Sequence, residues 1–190
     1  MKILLLSGSF HSKSRSLAIL DAIKALFPEH DYVLPALDQL PFYSEDLAAA
    51  KPDNVKNLIA QVSVCDGILV VTPEYNHSIP AVLKNAIDWA SRPAFVSPLK
   101  DKPVSFITQA VSAVGGARAQ AHLKLIFDST LSRMHMCHEM MIVSVDKVLD
   151  ENRQVTDQDV LRRLKRHVAE FLSMVEVLSA TDSTNSPSAK

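Results

Sequence analysis

Five short apolar segments alternate with five helix-like segments along the chain, and this alternation limits the possible folds more than any other feature of the sequence. Several of the apolar segments are continuous, as is required of strands covered on both faces. Alternating strands and helices are typical of a parallel sheet with helices on both sides. The predicted strands are KILLLS (2–7), DYVLPA (31–36), DGILVVT (66–72), KPVSFIT (102–108) and EMMIVSV (139–145).

The segments between these strands have the spacing of amphipathic helices. In SLAILDAIKALF, for example, apolar side chains return about once per helical turn. Thr156 and Asp157 precede the last segment and form a typical helix start. The predicted helices cover 14–27, 53–65, 79–91, 115–131 and 157–178.

The predicted fold is therefore an α/β fold with a doubly wound, five-stranded parallel sheet. The pattern leaves open a flavodoxin-like strand order, 2-1-3-4-5, or a longer Rossmann order, and the number of strands favours the flavodoxin-like order. In either case, ligands bind beyond the carboxyl ends of the strands, where the strand order reverses. With 190 residues in all, we expect one domain over 1–179 and a polar, disordered tail over 180–190.

Charge and cysteine content make several classes of function improbable on physical grounds. The formal net charge is −1 with scattered charges, so we expect neither nucleic acid nor a membrane as a partner. No apolar segment approaches the roughly 20 residues of a membrane span, and the run at 3–6 is too short for a signal peptide. Cys65 and Cys137 lie in apolar surroundings and are expected to be buried free thiols in a reducing cytoplasm.

The first of three polar loops, SGSFHSKSRSLA (7–18), runs directly from a predicted strand into a helix. Such a turn presents backbone N–H groups and the positive end of a helix dipole, which suits a phosphate. Neither G-x-x-x-x-G-K-[ST] nor G-x-G-x-x-G occurs, which argues against ATP or GTP hydrolysis and a Rossmann dinucleotide site. A solvated, serine-capped helix start is the alternative. Side chains that can contact a phosphate are those of Ser9, Lys13, Ser14, Arg15 and Ser16.

The second loop belongs to TPEYNHSIPAVLKNAIDWAS (72–91), after the third strand. Pro73 and Pro80 restrict its backbone, so its exposed N–H and C=O groups can bind the polar edge of a planar heterocycle. Tyr75 can lie against a ring face, and Asn76 offers both a donor and an acceptor.

Other functions remain open for polar residues near this second loop. Glu74 and His77 are a possible acid/base pair, and His77 can equally be a solvated loop residue. Trp89, in the helix that follows, is expected to be a packing anchor.

The third loop, TQAVSAVGGARAQAHLK (108–124), contains two adjacent glycines, Gly115 and Gly116. Glycine allows the backbone to approach a ligand closely, or it makes a tight turn. Arg118 and His122 follow one helical turn apart and suit a site, an interface or an ordinary surface.

Two further chemistries are weakly supported. His135, Cys137 and His138 lie close together, but a structural metal site requires four ligands, so we expect no metal. No G-x-S-x-G motif follows a strand, which argues against a serine hydrolase.

The motifs in these loops resemble those of the NADPH-dependent FMN reductase family, the flavodoxin-like group that includes quinone, chromate and azo reductases. The resemblance covers about 2–175, and its most specific part is PEYN-x-S-x-P-x-x-L-K-N-A-I-D. The remaining motifs are GSF-x-x-x-S-x-S-x-x-L near the start, LPFYSEDL (40–47) and GGARAQAHL (115–123).

The resemblance implies that the first loop holds the FMN phosphate, and that PEYN lies beside the ribityl chain and isoalloxazine. The third loop would lie near the ring. Relatives often carry Arg where this chain has His11. No catalytic side chain is expected, because hydride transfer is the cofactors' own reaction. The implied cofactor-binding residues are Ser9, His11, Ser14, Arg15, Ser16, Pro73, Glu74, Tyr75, Asn76, Ser112, Gly115 and Gly116.

The activity implied is that of a cytoplasmic FMN-dependent NAD(P)H oxidoreductase. It would pass hydride from NADPH or NADH through bound FMN to quinones, azo compounds or metal oxyanions by a ping-pong mechanism. The family also implies a homodimer or homotetramer in which LPFYSEDL shapes a neighbour's site. Two alternatives stay open. One is a flavin reductase that supplies reduced FMN to a partner, and the other is a flavodoxin-like electron-transfer module, which the small net charge disfavours.

Overall fold

A parallel sheet runs through the centre of the computed structural model, which describes residues 1–184. The strand order is β2-β1-β3-β4-β5, and β6 pairs with β4 as well. The predicted order 2-1-3-4-5 is thus confirmed. The strands are β1 (Lys2–Ser7), β2 (Asp31–Val33), β3 (Gly67–Pro73), β4 (Pro103–Gln109), β5 (Arg133–Met134) and β6 (Met140–Ile142).

The edge beyond β4 differs from the prediction of one continuous strand at 139–145. Two short strands pair with the two ends of β4, so that Met134 lies opposite Val104 and Met140 lies opposite Ile107. Two residues of β4 therefore face the five residues 135–139, which leave the sheet. A strand of two or three residues carries no period-2 pattern, which is why the sequence did not indicate the break.

The helices connect these strands on both sides of the sheet. The five predicted helices are present, and two helices of four residues were not predicted. The last helix continues through residues 180–184 of the expected tail, while 185–190 lie outside the described residues. The helices are α1 (Arg15–Leu26), α2 (Glu45–Ala48), α3 (Asp53–Val64), α4 (Ala81–Ala90), α5 (Ala117–Ser129), α6 (Val145–Val148) and α7 (Gln158–Thr184).

None of the helices in residues 1–184 has the combined length and apolar character needed to cross a lipid bilayer.

Alternate residues of the central strands pack on opposite faces of the sheet. Ile3 and Leu5 of β1 belong to an apolar cluster with α1 and α7. Leu4 and Leu6 belong to a second cluster with α3, α4 and α5. Because both faces are covered, these strands are apolar at consecutive positions. The helices that pack on both faces also hold the strand ends from which the loops begin.

The segment 40–44 is attached to α4 by hydrogen bonds from buried side chains. Trp89 Nε1 and Asn85 Nδ2 both donate to the Pro41 carbonyl, at 2.8 and 2.9 Å. Asn85 Oδ1 accepts from the Tyr43 amide at 2.8 Å. Trp89 is fully buried, so it is the packing anchor that we expected. Phe42, between the attached residues, is 80% exposed.

Candidate functional site

The loop after β1 is shaped by its own hydroxyl groups. Ser7 Oγ and Ser14 Oγ both donate to the Ser9 carbonyl, at 2.6 and 3.1 Å. Ser14 Oγ also accepts from the Leu17 amide at 3.3 Å and so caps the N-terminus of α1. Among residues 1–184, no group forms a hydrogen bond with the Ser9 hydroxyl, which leaves it available to a ligand.

Three exposed basic or potentially basic side chains follow in the same loop: His11, Lys13 and Arg15. The Lys13 amide donates to His11 Nδ1 at 3.0 Å. In the neutral ring, Nε2 then carries the proton and can donate to an oxyanion. The loop thus offers donors and positive charge, although His11 replaces the arginine that the resemblance leads one to expect.

Arg153 holds the backbone of this loop in place, and the sequence did not indicate that role. Its Nη1 and Nη2 donate to the carbonyls of Ser12 and Ser14, both at 2.8 Å. Arg153 has a positive φ of 63°, in a tight turn between the bridged residues Leu149 and Val155. A planar guanidinium that binds two carbonyls fixes the direction of both peptide groups.

The second loop contains a two-residue hairpin turn. The backbone groups of Tyr75 and Ser78 exchange two hydrogen bonds of 2.9 Å. Asn76 and His77, between them, have φ values of 48° and 65°, as in a type I′ turn. Asn76 therefore suits this position for a conformational reason, and its side chain is exposed.

Helix α5 holds both ends of this turn. The Glu74 carboxylate accepts from the amides of Arg118 and Ala119, at 3.0 and 3.3 Å, and pairs with Arg118 Nη1 at 3.3 Å. Ser78 Oγ and His122 Nδ1 lie 2.8 Å apart. Arg118 and His122, whose role the sequence left open, thus position the second loop. The Glu74 side chain, only 11% exposed, is fully engaged.

The two glycines of the third loop are explained by backbone conformation. Gly115 and Gly116 have φ values of 63° and 84°. A Cβ on Gly116 would lie 2.9 Å from Thr108 Cβ, and Thr108 Oγ1 donates to the Gly115 carbonyl at 3.0 Å. The tight turn is therefore sufficient to account for both residues.

A cavity of about 330 Å³ opens where the three loops meet, within the range typical of ligand sites. It lies beyond the carboxyl ends of β1, β3 and β4, where the order 2-1-3 reverses, as the fold predicts. Its lining consists of Ser9, His11, Lys13, Ser14, Arg15, Pro73, Glu74, Tyr75, Gln109, Ala110, Val111 and Ser112.

Most of the predicted site residues therefore meet in one cavity. Ser16, Asn76, Gly115 and Gly116 are not part of the lining, and their binding roles stay predictions. Ser16 is fully buried and accepts from Gln109 Nε2 at 3.3 Å.

Gln109, Ala110 and Val111 also line the cavity and were not predicted as site residues. Gln109 is the last residue of β4. A polar side chain at the carboxyl end of a buried strand was a usable signal.

The lining fits a ligand with an anionic group and a flat ring. Positive charge and the free Ser9 hydroxyl are concentrated in the first loop. Tyr75, 53% exposed, and the backbone of 109–112 form the walls of the remaining part. Phosphate at one end and a planar ring against Tyr75 therefore match the donors that are present.

Comparisons with known proteins show which chains this one resembles. The family model for NADPH-dependent FMN reductase matches residues 1–147. A 2-hydroxy-1,4-benzoquinone reductase of Burkholderia sp is 34% identical over 92% of this chain and 96% of the relative. A quinone reductase of Escherichia coli (strain K12) is 37% identical over 75% of this chain and 77% of its own.

A solved structure is also similar to this chain. The flavoenzyme NAD(P)H:(acceptor) oxidoreductase of Paracoccus denitrificans superimposes with a TM-score of 0.83. It is 29% identical in sequence, and the match covers 92% of this chain and 97% of that one.

Proposed function

The chain belongs to the NADPH-dependent FMN reductase family, and from this premise we propose that its cavity binds FMN and serves electron transfer from NAD(P)H to small quinone-type acceptors. The observation that carries the proposal is the cavity itself, which combines a phosphate-binding type of loop with a stiff, tyrosine-bearing wall. The quinone acceptors named for two relatives support the class of substrate. Azo compounds and metal oxyanions are further acceptors to be tested.

The first loop is proposed to bind the FMN phosphate. Ser9 offers its free hydroxyl, His11 offers Nε2–H, and Lys13 and Arg15 supply positive charge. Ser14 is already used as the helix cap, so it contributes mainly by holding the loop in shape. A phosphate placed here also faces the N-terminus of α1, where the backbone N–H groups are directed.

The second and third loops are proposed to orient the flavin ring. Tyr75 offers an aromatic face, and the backbone from Gln109 to Ser112 offers donors and acceptors to the ring edge. When bound, FMN supplies the capacity to accept a hydride from NAD(P)H and to pass two electrons to an acceptor. The protein's part is to hold both partners at contact distance on one face.

No side chain of the cavity is needed as a general acid or base. NAD(P)H, one proton and a quinone yield NAD(P)⁺ and a quinol, and the proton can come from water. We propose a ping-pong order, in which NAD(P)⁺ leaves before the acceptor occupies the same place. Double-reciprocal plots of the initial rate against NADPH concentration, measured at several quinone concentrations, should give parallel lines. Intersecting lines would contradict this order.

The direct test is the absorbance spectrum of the purified protein, followed by NADPH addition without oxygen. We expect flavin absorbance that bleaches with NADPH and returns when a benzoquinone is added. A colourless protein that stays inactive after FMN is supplied would overturn the proposal. If FMN is lost on ultrafiltration but turnover requires it, FMN acts as a substrate, which is the flavin-reductase alternative. Bleaching only by one-electron donors would favour an electron-transfer module.

The Glu74→Gln variant tests whether Glu74 positions the loop or takes part in the chemistry. The amide keeps the shape but weakens the bonds to the α5 amides and to Arg118, so we expect a stability loss of about 1–2 kcal/mol. Turnover should fall less than about threefold, with an unchanged pH profile, because no proton passes through this side chain. Thermal unfolding and steady-state rates measure both effects.

Asp88→Asn is the matched control for Glu74→Gln. It removes a carboxylate from a partly exposed pair with Lys84, and such helix pairs contribute only about 0.3–0.5 kcal/mol. Loss of turnover in Glu74→Gln without loss of stability would show that Glu74 has a chemical role.

We also propose that the protein forms a homo-oligomer. Large apolar side chains are exposed near α4 and α5, with Phe95 at 73% and Leu125 at 69%, and Phe42 stands out from the attached segment 40–44. Light scattering should give at least twice the mass of one chain, and Leu125→Glu should lower it. A monomer at micromolar concentration would contradict this.

We assign 1–179 to one FMN-binding domain, since the three loops of the cavity arise from one sheet. A cytoplasmic location is supported by the two cysteines, which are both free thiols.

A further inference from the structure

The break between β5 and β6 brings together side chains that the mechanism does not use. Residues 135–139 leave the sheet edge here, and α7 passes beside them. A cavity of about 220 Å³ lies at this break, and its lining includes His135, Cys137 and His167. This cavity shares no lining residue with the one proposed for FMN.

The three side chains are arranged as metal ligands are. One ligand atom from each of His135, Cys137 and His167 lies within 4.8 Å of the others. Cys137 Sγ and His167 Nδ1 are 3.5 Å apart. Zn–S and Zn–N bonds of about 2.3 and 2.0 Å at a tetrahedral angle place sulfur and nitrogen about 3.5 Å apart.

Ser105 of β4 orients both imidazole rings. Its Oγ lies 2.9 Å from His167 Nε2 and 3.1 Å from His135 Nδ1. A hydroxyl oxygen has two lone pairs, so it can accept from both ring N–H groups and leave the opposite ring nitrogens bare. Outer partners of this kind fix the tautomer of metal-bound histidines. Ser105 is 2% exposed, so its position is held by the sheet.

His167 is 4% exposed, so its ring is held in place by the closely packed side chains around it. Cys137 is half-buried and must lose its thiol proton when it binds a metal.

From this geometry we propose that His135, Cys137 and His167 form a binding site for Zn²⁺. One thiolate and two imidazoles suit this borderline-soft ion. Three protein ligands leave the fourth position open to the cavity, where water or an anionic ligand completes the tetrahedron. The site does not depend on FMN. It also differs from the sequence-based set, because His167 of α7 replaces the exposed His138.

The test is Zn²⁺ titration of chelator-treated full-length protein by calorimetry, with Co²⁺ as a spectroscopic probe. We expect one Zn²⁺ per chain at micromolar concentration, and a thiolate-to-cobalt absorption band. Cys137→Ser and His167→Gln should each weaken Zn²⁺ binding at least about 100-fold, and Ser105→Ala should weaken it about 10- to 100-fold. Cys137→Ser is the main variant because Cys137 is only half-buried and its replacement disturbs the core least.

His138→Gln and Cys65→Ser are the matched controls. Each removes a histidine or a cysteine outside the proposed set, so both should bind Zn²⁺ as the wild type does. The proposal is overturned if the wild type takes up no Zn²⁺ at micromolar concentration. It is also overturned if Cys137→Ser, shown to be folded by circular dichroism, keeps the wild-type affinity, or if His138→Gln loses as much affinity as His167→Gln.

Discussion

An Arg153→Met variant should bind FMN about 10- to 100-fold more weakly than the wild-type protein, while its affinity for riboflavin stays nearly unchanged. Arg153 makes two hydrogen bonds of 2.8 Å to the carbonyls of Ser12 and Ser14. Hydrogen bonds from charged groups contribute about 1.5–3 kcal/mol each. In the variant, FMN has to order the loop itself when it binds, and this costs part of that free energy. A tenfold change in affinity corresponds to about 1.4 kcal/mol.

Riboflavin distinguishes loss of the phosphate site from general damage. It carries the same ring and ribityl chain as FMN but no phosphate, so only FMN needs the loop that Arg153 supports. Fluorescence titration with both ligands gives the ratio of affinities. An equal loss for both would show that Arg153 acts only on stability. No loss for either would show that the loop keeps its shape unaided.

Two further variants sharpen the Arg153 experiment. Arg163→Met removes a guanidinium that donates to the Met141 carbonyl at 3.1 Å, outside the cavity lining, and should leave the ratio unchanged. Arg153→Lys keeps the charge but not the planar fork, so it should recover only part of the FMN affinity.

Gly8→Ala should destabilise the protein by about 3 kcal/mol, at the upper end of the cost of overpacking. A Cβ at Gly8 would lie 1.9 Å from Thr72 Oγ1 and 3.1 Å from Thr72 Cα. Thr72 cannot withdraw, since it belongs to β3 and its Oγ1 donates to the Pro73 carbonyl at 3.0 Å. For a chain of this length the melting temperature should fall by about 6–12 °C.

Gly67→Ala is the control for Gly8→Ala. A Cβ at Gly67 would lie 2.8 Å from Val175 Cγ2 and 3.0 Å from Phe171 Cζ, so its overlaps are milder than the 1.9 Å contact at Gly8 and involve side-chain atoms alone. Thermal unfolding of both variants should therefore show a clearly smaller loss for Gly67→Ala. Equal losses would mean that backbone proximity at the end of β1 is not what limits this position.

The fold was predictable because burial on both faces of the sheet forces consecutive apolar residues in the central strands. The sheet edge was not predictable for the opposite reason. The short strands β5 and β6 are set by pairing with β4, a tertiary interaction that leaves no periodic signal in the sequence.

The candidate site was predictable where loops directly follow strands. It was not predictable where a side chain arrives from far along the chain. Arg153 reaches Ser14 across 139 positions, and its turn shows no pattern related to phosphate. His167 likewise contacts Cys137 although the two are 30 positions apart. The sequence instead groups Cys137 with its neighbour His138. Asn76 shows a third limit, since a residue type that suits a ligand also suits a positive φ.

The chain contains a single tryptophan, Trp89, whose indole is buried against the segment 40–44 and donates to the Pro41 carbonyl. The tryptophan fluorescence of the protein therefore comes from Trp89 alone. While that segment is attached, the indole is shielded from water, and its emission lies at short wavelength. We expect detachment of Pro41 to expose the ring and to shift the emission to the red. The protein thus carries its own optical probe for the surface that bears Phe42, with no label to attach.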